Sequence, residues 1–241
     1  MNILVIAAHP DDEVLGMGGT IKKYTKLGHN VKIVIMATGI TSRRTIEYKN
    51  SIDYKLDQKI LPTLNKQISQ LRNESKKAAK ILGVKNIEFL NFPDNEMDLM
   101  SNLEITKSIE KIINSFQPEI VFTHHSNDIN IDHKICHTST LTATRPKKNS
   151  IVRKVFSFEV PSSTEWSFPS NYFPNVFVDI SKEISVKKRA LQVYKNEIQK
   201  FPHPRSTEAI EIISKRWGSV CGFNHAESFF LVRDIEKNII N

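Results

Sequence analysis

Cysteine is scarce in this 241-residue chain, with Cys136 and Cys221 the only two. Two thiols cannot build the disulfide framework of a small secreted domain, and neither belongs to a Cys-x-x-Cys pair. Free thiols and a cytoplasmic location are therefore expected. Long hydrophobic runs are also missing. No stretch approaches the roughly 20 apolar residues of a membrane span. The apolar run at the start has no basic segment ahead of it, so it reads as a strand rather than a signal peptide. Glycine is sparse at 8 residues, and Gly16-Met17-Gly18-Gly19 does not match Gly-x-Gly-x-x-Gly. Phosphate-cradling Gly-x-x-x-x-Gly-Lys-Ser/Thr and nucleophile-elbow Gly-x-Ser-x-Gly motifs are absent too, which argues against nucleotide-cofactor, P-loop and serine-hydrolase chemistry. Acidic residues are fewer than basic ones, 26 against 34, for a net charge of +8. The lysines are spread along the chain without a dense block or interleaved aromatics. Nucleic acid is thus not an expected partner, whereas an anionic small-molecule substrate fits the charge.

The composition that remains, 39% hydrophobic and 25% charged, is that of an ordinary globular protein. The length suits one sizeable core, and residues 1–241 read as a single domain. Its most informative stretch is Ile3-Leu4-Val5-Ile6-Ala7-Ala8-His9-Pro10-Asp11-Asp12-Glu13. An apolar run that ends at a turn signal reads as a buried strand of a parallel sheet. Ligands bind beyond the carboxyl ends of such strands. Three adjacent acids repel one another, and a cation among them would explain their company.

The periodicity then alternates between strand and helix. Residues 15–26 predict a helix and 31–37 a second strand, together a βαβ unit. Residues 38–65 lose the pattern and read as a loop or lid. A helix is expected over 68–82, a strand over 87–90, a helix over 103–116 and a strand over 120–123. A helix running to about 144 follows the polar stretch that begins at His124. Strands are expected over 152–160 and 176–180, separated by a loop over 161–174. A basic helix over 183–200, a helix over 207–217 and a strand over 229–232 complete an α/β chain, one doubly wound three-layer domain around a mostly parallel central sheet.

Two strand ends, after Ala8 and after Thr123, carry both histidine and aspartate. A catalytic zinc takes three protein ligands and keeps one position open. His9 and Asp12 come from the first loop, and His133, at the start of a helix, is the best third ligand. Asp11 then lies where a general base is needed. The alternative, a helix N-terminus with capping acids, does not account for the histidine. His124 and His125 read equally well as ordinary loop residues, Asp94 as a turn or capping residue, and His203 as a packed loop histidine between prolines.

Ala8-His9-Pro10-Asp11-Asp12-Glu13 followed by Asp132-His133 resembles the PIG-L/LmbE-like N-deacetylases. Softer likenesses lie in Arg72-x-Glu74, Phe92-Pro93-Asp94-Asn95, 157–166 and 202–206, and they imply that 161–174 is an active-site loop. The resemblance implies a Rossmann-like zinc hydrolase that removes an acetyl group from an amino sugar or its conjugate, with release of acetate and a free amine. It implies His9, Asp12 and His133 as metal ligands, Zn2+ as the metal with Fe2+ as a substitute, and Asp11 as general base. Asp132 would orient a neighbouring group. Many members carry histidine where this chain has Asn130, which can donate to an oxyanion but cannot protonate the leaving amine. Asp11 itself or another histidine (His203, His124 or His125) would then supply that proton. Arg72, Asp94 and Arg205 are expected at the substrate, the arginines because guanidinium suits anions. A homo-oligomer is compatible with all of this. Amide hydrolysis of a non-sugar conjugate, or a metal- or sugar-binding module without turnover, are the alternatives.

Overall fold

The computed structural model describes residues 1–40, 61–148 and 150–236. In chain order the elements are β1 (Asn2–Ala7), α1 (Asp12–Lys26), β2 (Asn30–Ala37), α2 (Leu61–Leu82), β3 (Asn86–Phe92), α3 (Asn102–Phe116), β4 (Ile120–His124) and α4 (Ile131–Ala143). Then follow β5 (Lys154–Phe158), β6 (Val176–Asp179), α5 (Ile184–Leu191), α6 (Thr207–Cys221) and β7 (Ala226–Asp234), with single 3-10 turns at Met97–Leu99 and Thr164–Trp166. The seven strands form one sheet in the order β3-β2-β1-β4-β5-β7-β6. The first five run parallel, and β7 is antiparallel to both β5 and β6. The expected α/β class and mostly parallel sheet are what the chain adopts.

β1 shows why its sequence is apolar without alternation. Side chains leave a strand on opposite faces with period two. Ile3, Val5 and Ala7 pack with Leu15, Ile21, Leu71, Ala78 and Leu191 of α1, α2 and α5 on one face. Leu4, Ile6 and Ala8 pack with Ile105, Ile109, Ile112 and Cys136 of α3 and α4 on the other. Both faces are covered, so every position must be apolar. The helices change face between β1, whose onward path runs through α1 and α2, and β4, which is reached through α3. The carboxyl ends of these two paired strands therefore flank the topological switch point, where open α/β sheets bind ligands.

Two local departures position the site. α1 is kinked at Met17 (φ −147°), where Gly16 has no room for a Cβ: one would lie 2.4 Å from the Phe158 ring. The kink releases the Gly19 and Thr20 amides, which donate to the Glu227 carboxylate at 2.9 and 2.6 Å. Lys187 Nζ, on Glu227 at 2.6 Å and on the Leu15 carbonyl at 2.8 Å, completes this buried junction of α1, α5 and β7. The helix expected over 183–200 stops at Leu191. Tight turns follow, with i to i+3 bonds from Tyr194 to Leu191 and from Glu197 to Tyr194. They turn Tyr194 and Glu197 towards the start of α1, a demand of tertiary structure that outweighs helical periodicity.

Of the loop expected over 38–65, residues 41–60 lie outside the described residues. Its end, from Leu61, is already α2, with Pro62 in the first turn where a missing N–H costs nothing. The strand expected over 152–160 is shorter, because the chain leaves the sheet after Phe158.

Candidate metal centre and active site

The sequence His9-Pro10-Asp11-Asp12 forms the turn between β1 and α1. Asp11 precedes the first helical residue at φ 99°, a left-handed conformation that costs a residue with a Cβ roughly 1–2 kcal/mol. Such strain persists where the surroundings over-determine it, and here they do. Glu13 Oε2 accepts from the Asp11 amide at 3.1 Å, and Tyr194 Oη donates to Glu13 Oε1 at 2.6 Å. Arg205 Nη1 lies 3.1 Å from Asp11 Oδ2 and 3.3 Å from Glu197 Oε2, while its Nε donates to Ser162 Oγ at 2.7 Å. Burial pushes the Asp11 carboxyl well above its ordinary value, and the Arg205 guanidinium only partly offsets this. Burial also lifts Glu13, to about 7.

Asp12 is fully buried. Its Oδ2 accepts from the His9 amide at 2.8 Å and lies 3.4 Å from His9 Nδ1 and 3.2 Å from His133 Nε2. His133, in the first turn of α4, and His9 are each braced from behind. His9 Nε2 is 3.0 Å from both Asp94 Oδ1 and Asp132 Oδ2. Asp132 in turn accepts the amides of Asn95 at 2.7 Å and Met97 at 3.1 Å. His133 Nδ1 is 3.1 Å from Asp128 Oδ2. Asp128 accepts from Thr164 Oγ1 at 2.7 Å, from the Asn130 amide at 2.8 Å and from Ser163 Oγ. Ligand atoms of His9, Asp12 and His133 all lie within 4.8 Å of one another.

Buried carboxylates and imidazoles in this cluster shift one another strongly. Burial alone would discharge His9 and His133, yet the surrounding carboxylates overcome it: His9 is raised well above its ordinary value and His133 to about 9. Against the same burial, the histidines hold Asp12 well below its ordinary value, and His133 is foremost in holding Asp128 down to about 2. Asp12 Oδ1 and His133 Nε2 nevertheless have no hydrogen-bond partner. Buried polar atoms are almost always satisfied, and a divalent metal accepted by one carboxylate and two imidazoles would satisfy both. The residues present fit a metal.

The other expected site residues divide into groups. Asp94 and Asp132 stand behind His9, and Arg205 reaches Asp11. Asn130 caps α4: its Oδ1 accepts from the Asp132 amide at 2.9 Å and its Nδ2 donates to Asn95 Oδ1 at 2.8 Å. One amide hydrogen is left for any other role. His203 accepts the Arg205 amide on Nδ1 at 3.1 Å and meets Trp166 edge-on with ring centroids 6.0 Å apart, one layer out from Asp11. Arg72 bonds Asn91 and covers the Phe89 ring at 5.4 Å, at the end of β3 rather than in the cluster. His124 is buried beneath the cluster and stacks on His133 at 3.9 Å. Its Nε2 accepts the Ala8 amide at 2.7 Å, and burial holds its pKa well below the ordinary value. His125 faces Tyr172 edge-on at 5.0 Å.

Sequence reasoning missed Asp128, Tyr194 and Glu197; it expected Ser162 to Thr164 within an active-site loop, but not their bonds to Asp128 and Arg205. Asp128 carried a faint signal in the alternation Asp128-x-Asn130-x-Asp132, which fits a loop that folds back on a helix start. The others come from distant segments with no local mark.

A doubly wound sheet thus presents two histidines and a carboxylate at its switch point, with a further buried acid alongside, a donor set that could hold a metal ion. The chain belongs to the PIG-L family, described as GlcNAc-PI de-N-acetylase, which its residues 4–144 match. The diacetylchitobiose deacetylase of Thermococcus kodakarensis is 27% identical over 250 residues, covering 98% of this chain and 85% of the relative. Among solved structures, the zinc-inhibited form of teicoplanin deacetylase Orf2 superposes with a TM-score of 0.74 at 16% identity, covering 99% of this chain and all of that one. The 4-carboxy-2-hydroxymuconate hydratase GalB of Pseudomonas putida KT2440 superposes with a TM-score of 0.73 at 21% identity, covering 99% of each chain. At 16% and 21% identity these two structures share the fold with this chain, and the chemistry has to be argued from the site. Among the described residues no helix is long and apolar enough to cross a membrane.

Proposed function

We propose that this protein is a metal-dependent hydrolase that removes the N-acetyl group of an amino sugar or its conjugate, yielding acetate and a free amine. The observation that carries this reading is that ligand atoms of His9, Asp12 and His133 lie within 4.8 Å of one another, with Asp12 Oδ1 and His133 Nε2 buried and without a hydrogen bond. Membership of a de-N-acetylase family supports the choice of an N-acetyl amide. In this reading His9, Asp12 and His133 hold Zn2+, with Fe2+ a substitute because such donors accept several divalent ions. Bound there, the metal supplies Lewis acidity and lowers the pKa of water to about 7.

The chain's own groups do the rest. Asp11 takes a proton from the attacking water. A carboxylate whose burial disfavours its charge gains by accepting that proton. Arg205 holds Asp11 in place and limits how far its basicity rises. Asp11 then returns the proton to the amide nitrogen as the C–N bond breaks, so no separate acid is required of Asn130. Arg72, at the end of β3, and His203, one layer out from Asp11, are assigned to the carrier end of the substrate. The reading treats residues 1–241 as one deacetylase domain working on a small molecule.

The test is acetate release and amine appearance from N-acetylglucosamine and diacetylchitobiose by zinc-loaded protein, compared with Asp11→Asn. The variant is expected to keep its zinc and to lose about 10²–10⁴-fold in rate, the usual contribution of a general base. An undiminished rate would sink the Asp11 assignment. No acetate from any N-acetylated sugar would sink the deacetylase reading.

A further inference from the structure

Deepening that metal reading, on which it rests, we infer that Asp128 is the positioning residue of His133, held for that task by Ser163 and Thr164 of the loop after β5. A ligating imidazole has two nitrogens, and the hydrogen bond made by one decides which is left for the metal. Asp128 Oδ2 stands 3.1 Å from His133 Nδ1, so Asp128 holds a proton on Nδ1 and leaves Nε2, on the Asp12 side, as the nitrogen for the metal. Asp128 is fully buried and cannot turn away. Both of its oxygens are engaged: Oδ1 accepts from Ser163 Oγ and the Asn130 amide, and Oδ2 from Thr164 Oγ1.

The loop that supplies those hydroxyls is itself fixed. Thr164 Oγ1 accepts the Val160 amide at 2.8 Å, and the Glu165 carboxylate accepts the Ser162 and Ser163 amides at 2.6 and 3.1 Å. Ser162 adopts φ 75°, and its hydroxyl accepts from Arg205 Nε. Residues 162–164 therefore brace two groups at once: through Asp128 they set the tautomer of His133, and through Arg205 they set the carboxylate of Asp11. Metal affinity should depend on side chains that never touch the metal.

The experiment measures zinc affinity against a competing chelator for wild type, Asp128→Ala, Asp128→Glu and the double variant Ser163→Ala/Thr164→Ala, alongside ring 15N spectra of His133 in the zinc-loaded protein. Wild type is expected to carry the proton on Nδ1 and the metal on Nε2. Asp128→Ala should bind zinc about 10–100-fold more weakly, the usual effect of losing such a partner. Asp128→Glu should recover part of the loss, and the double variant should fall between. The double variant keeps the carboxylate, so it reports even where Asp128→Ala fails to fold. Coordination through Nδ1, or wild-type affinity in both the Ala and double variants, would overturn the inference. Wild type without stoichiometric zinc would overturn the functional reading and this inference with it.

Discussion

The two halves of the site are built in opposite ways. The turn from β1 into α1 is strained and held from a distance. Asp11 sits at φ 99°, and its braces Tyr194 and Arg205 act from the far end of the chain through Glu13 and the Asp11 carboxylate. The start of α4 has relaxed backbone and a cap of its own, although Ser163 and Thr164 from a distant loop fix its Asp128. Asn130 at φ −74° caps the helix with its own side chain, and Asp128, two residues earlier, bonds the Asn130 amide. The first half places a reactive carboxylate where regular backbone would not put it, so the rest of the fold must hold it there. The second only has to present an imidazole in a fixed orientation, which a capped helix does at little cost. Catalysis and ligation thus make different demands on the same sheet edge.

The comparison breaks most visibly at Arg205. Replacing it with Met leaves the buried Asp11 facing Glu197 without the guanidinium between them. Breaking a buried ion pair costs ~3–5 kcal/mol, and the low end applies because the Arg205 side chain is 25% exposed. Chemical denaturation should report a loss of about 3 kcal/mol, with zinc stoichiometry unchanged because His9, Asp12 and His133 keep braces that do not involve Arg205. A loss below about 0.5 kcal/mol would show that the turn holds itself.

Removing the metal sharpens the contrast from the other side. Burial opposes charge on His133, but Asp12 and Asp128 outweigh it and lift the group from 6.5 to about 9. A group raised on folding contributes stability that is fully present below its unfolded pKa and is lost as pH rises through its folded pKa. Chelated protein should therefore lose melting temperature between pH 6.5 and about 9.5. Zinc-loaded protein, in which His133 is a neutral ligand, should not show that fall. Thermal scans of chelated wild type and chelated His133→Gln would check this. A chelated wild type as flat as the variant would remove His133 from the account.

The same contrast decides how much was legible in the sequence. His9, Asp12 and His133 could be read because strand ends and helix starts leave local marks, and because apolar runs locate the sheet edge they share. The order of elements was legible for the same reason. Asn130 is expected at the chemistry, and its Oδ1 also caps α4, which depends on a backbone conformation that residue type alone does not reveal. Tyr194 and Glu197 were hidden because they sit where an apparently continuous basic helix breaks at Leu191, a break caused by contacts and not by glycine or proline. Arg205 was marked as an anion-binding residue, but the anion it meets is the protein's own Asp11. Residues 162–164 have no periodicity at all, and only closure of the chain brings them to Asp128.

The smallest effect tests the backbone itself. At position 130 the native conformation is ordinary and the side chain does the work. Asn130→Ala should cost about 1 kcal/mol, and Asn130→Ser, whose hydroxyl caps equally well, should recover most of it. At position 11 the backbone is the source of cost and a Cβ aggravates it. Asp11→Gly should be more stable than Asp11→Ala by about 1 kcal/mol, because glycine alone enters positive φ freely. Both members of that second pair lack the carboxylate and its contact with Arg205, so the lost ion pair cancels and the difference reports φ alone. Denaturant midpoints at constant m-value would measure all four variants. An Asp11→Ala as stable as Asp11→Gly would mean that the turn relaxes once the carboxylate is gone. The strain would then come from the Asp11–Arg205 contact and not from the path of the chain out of β1.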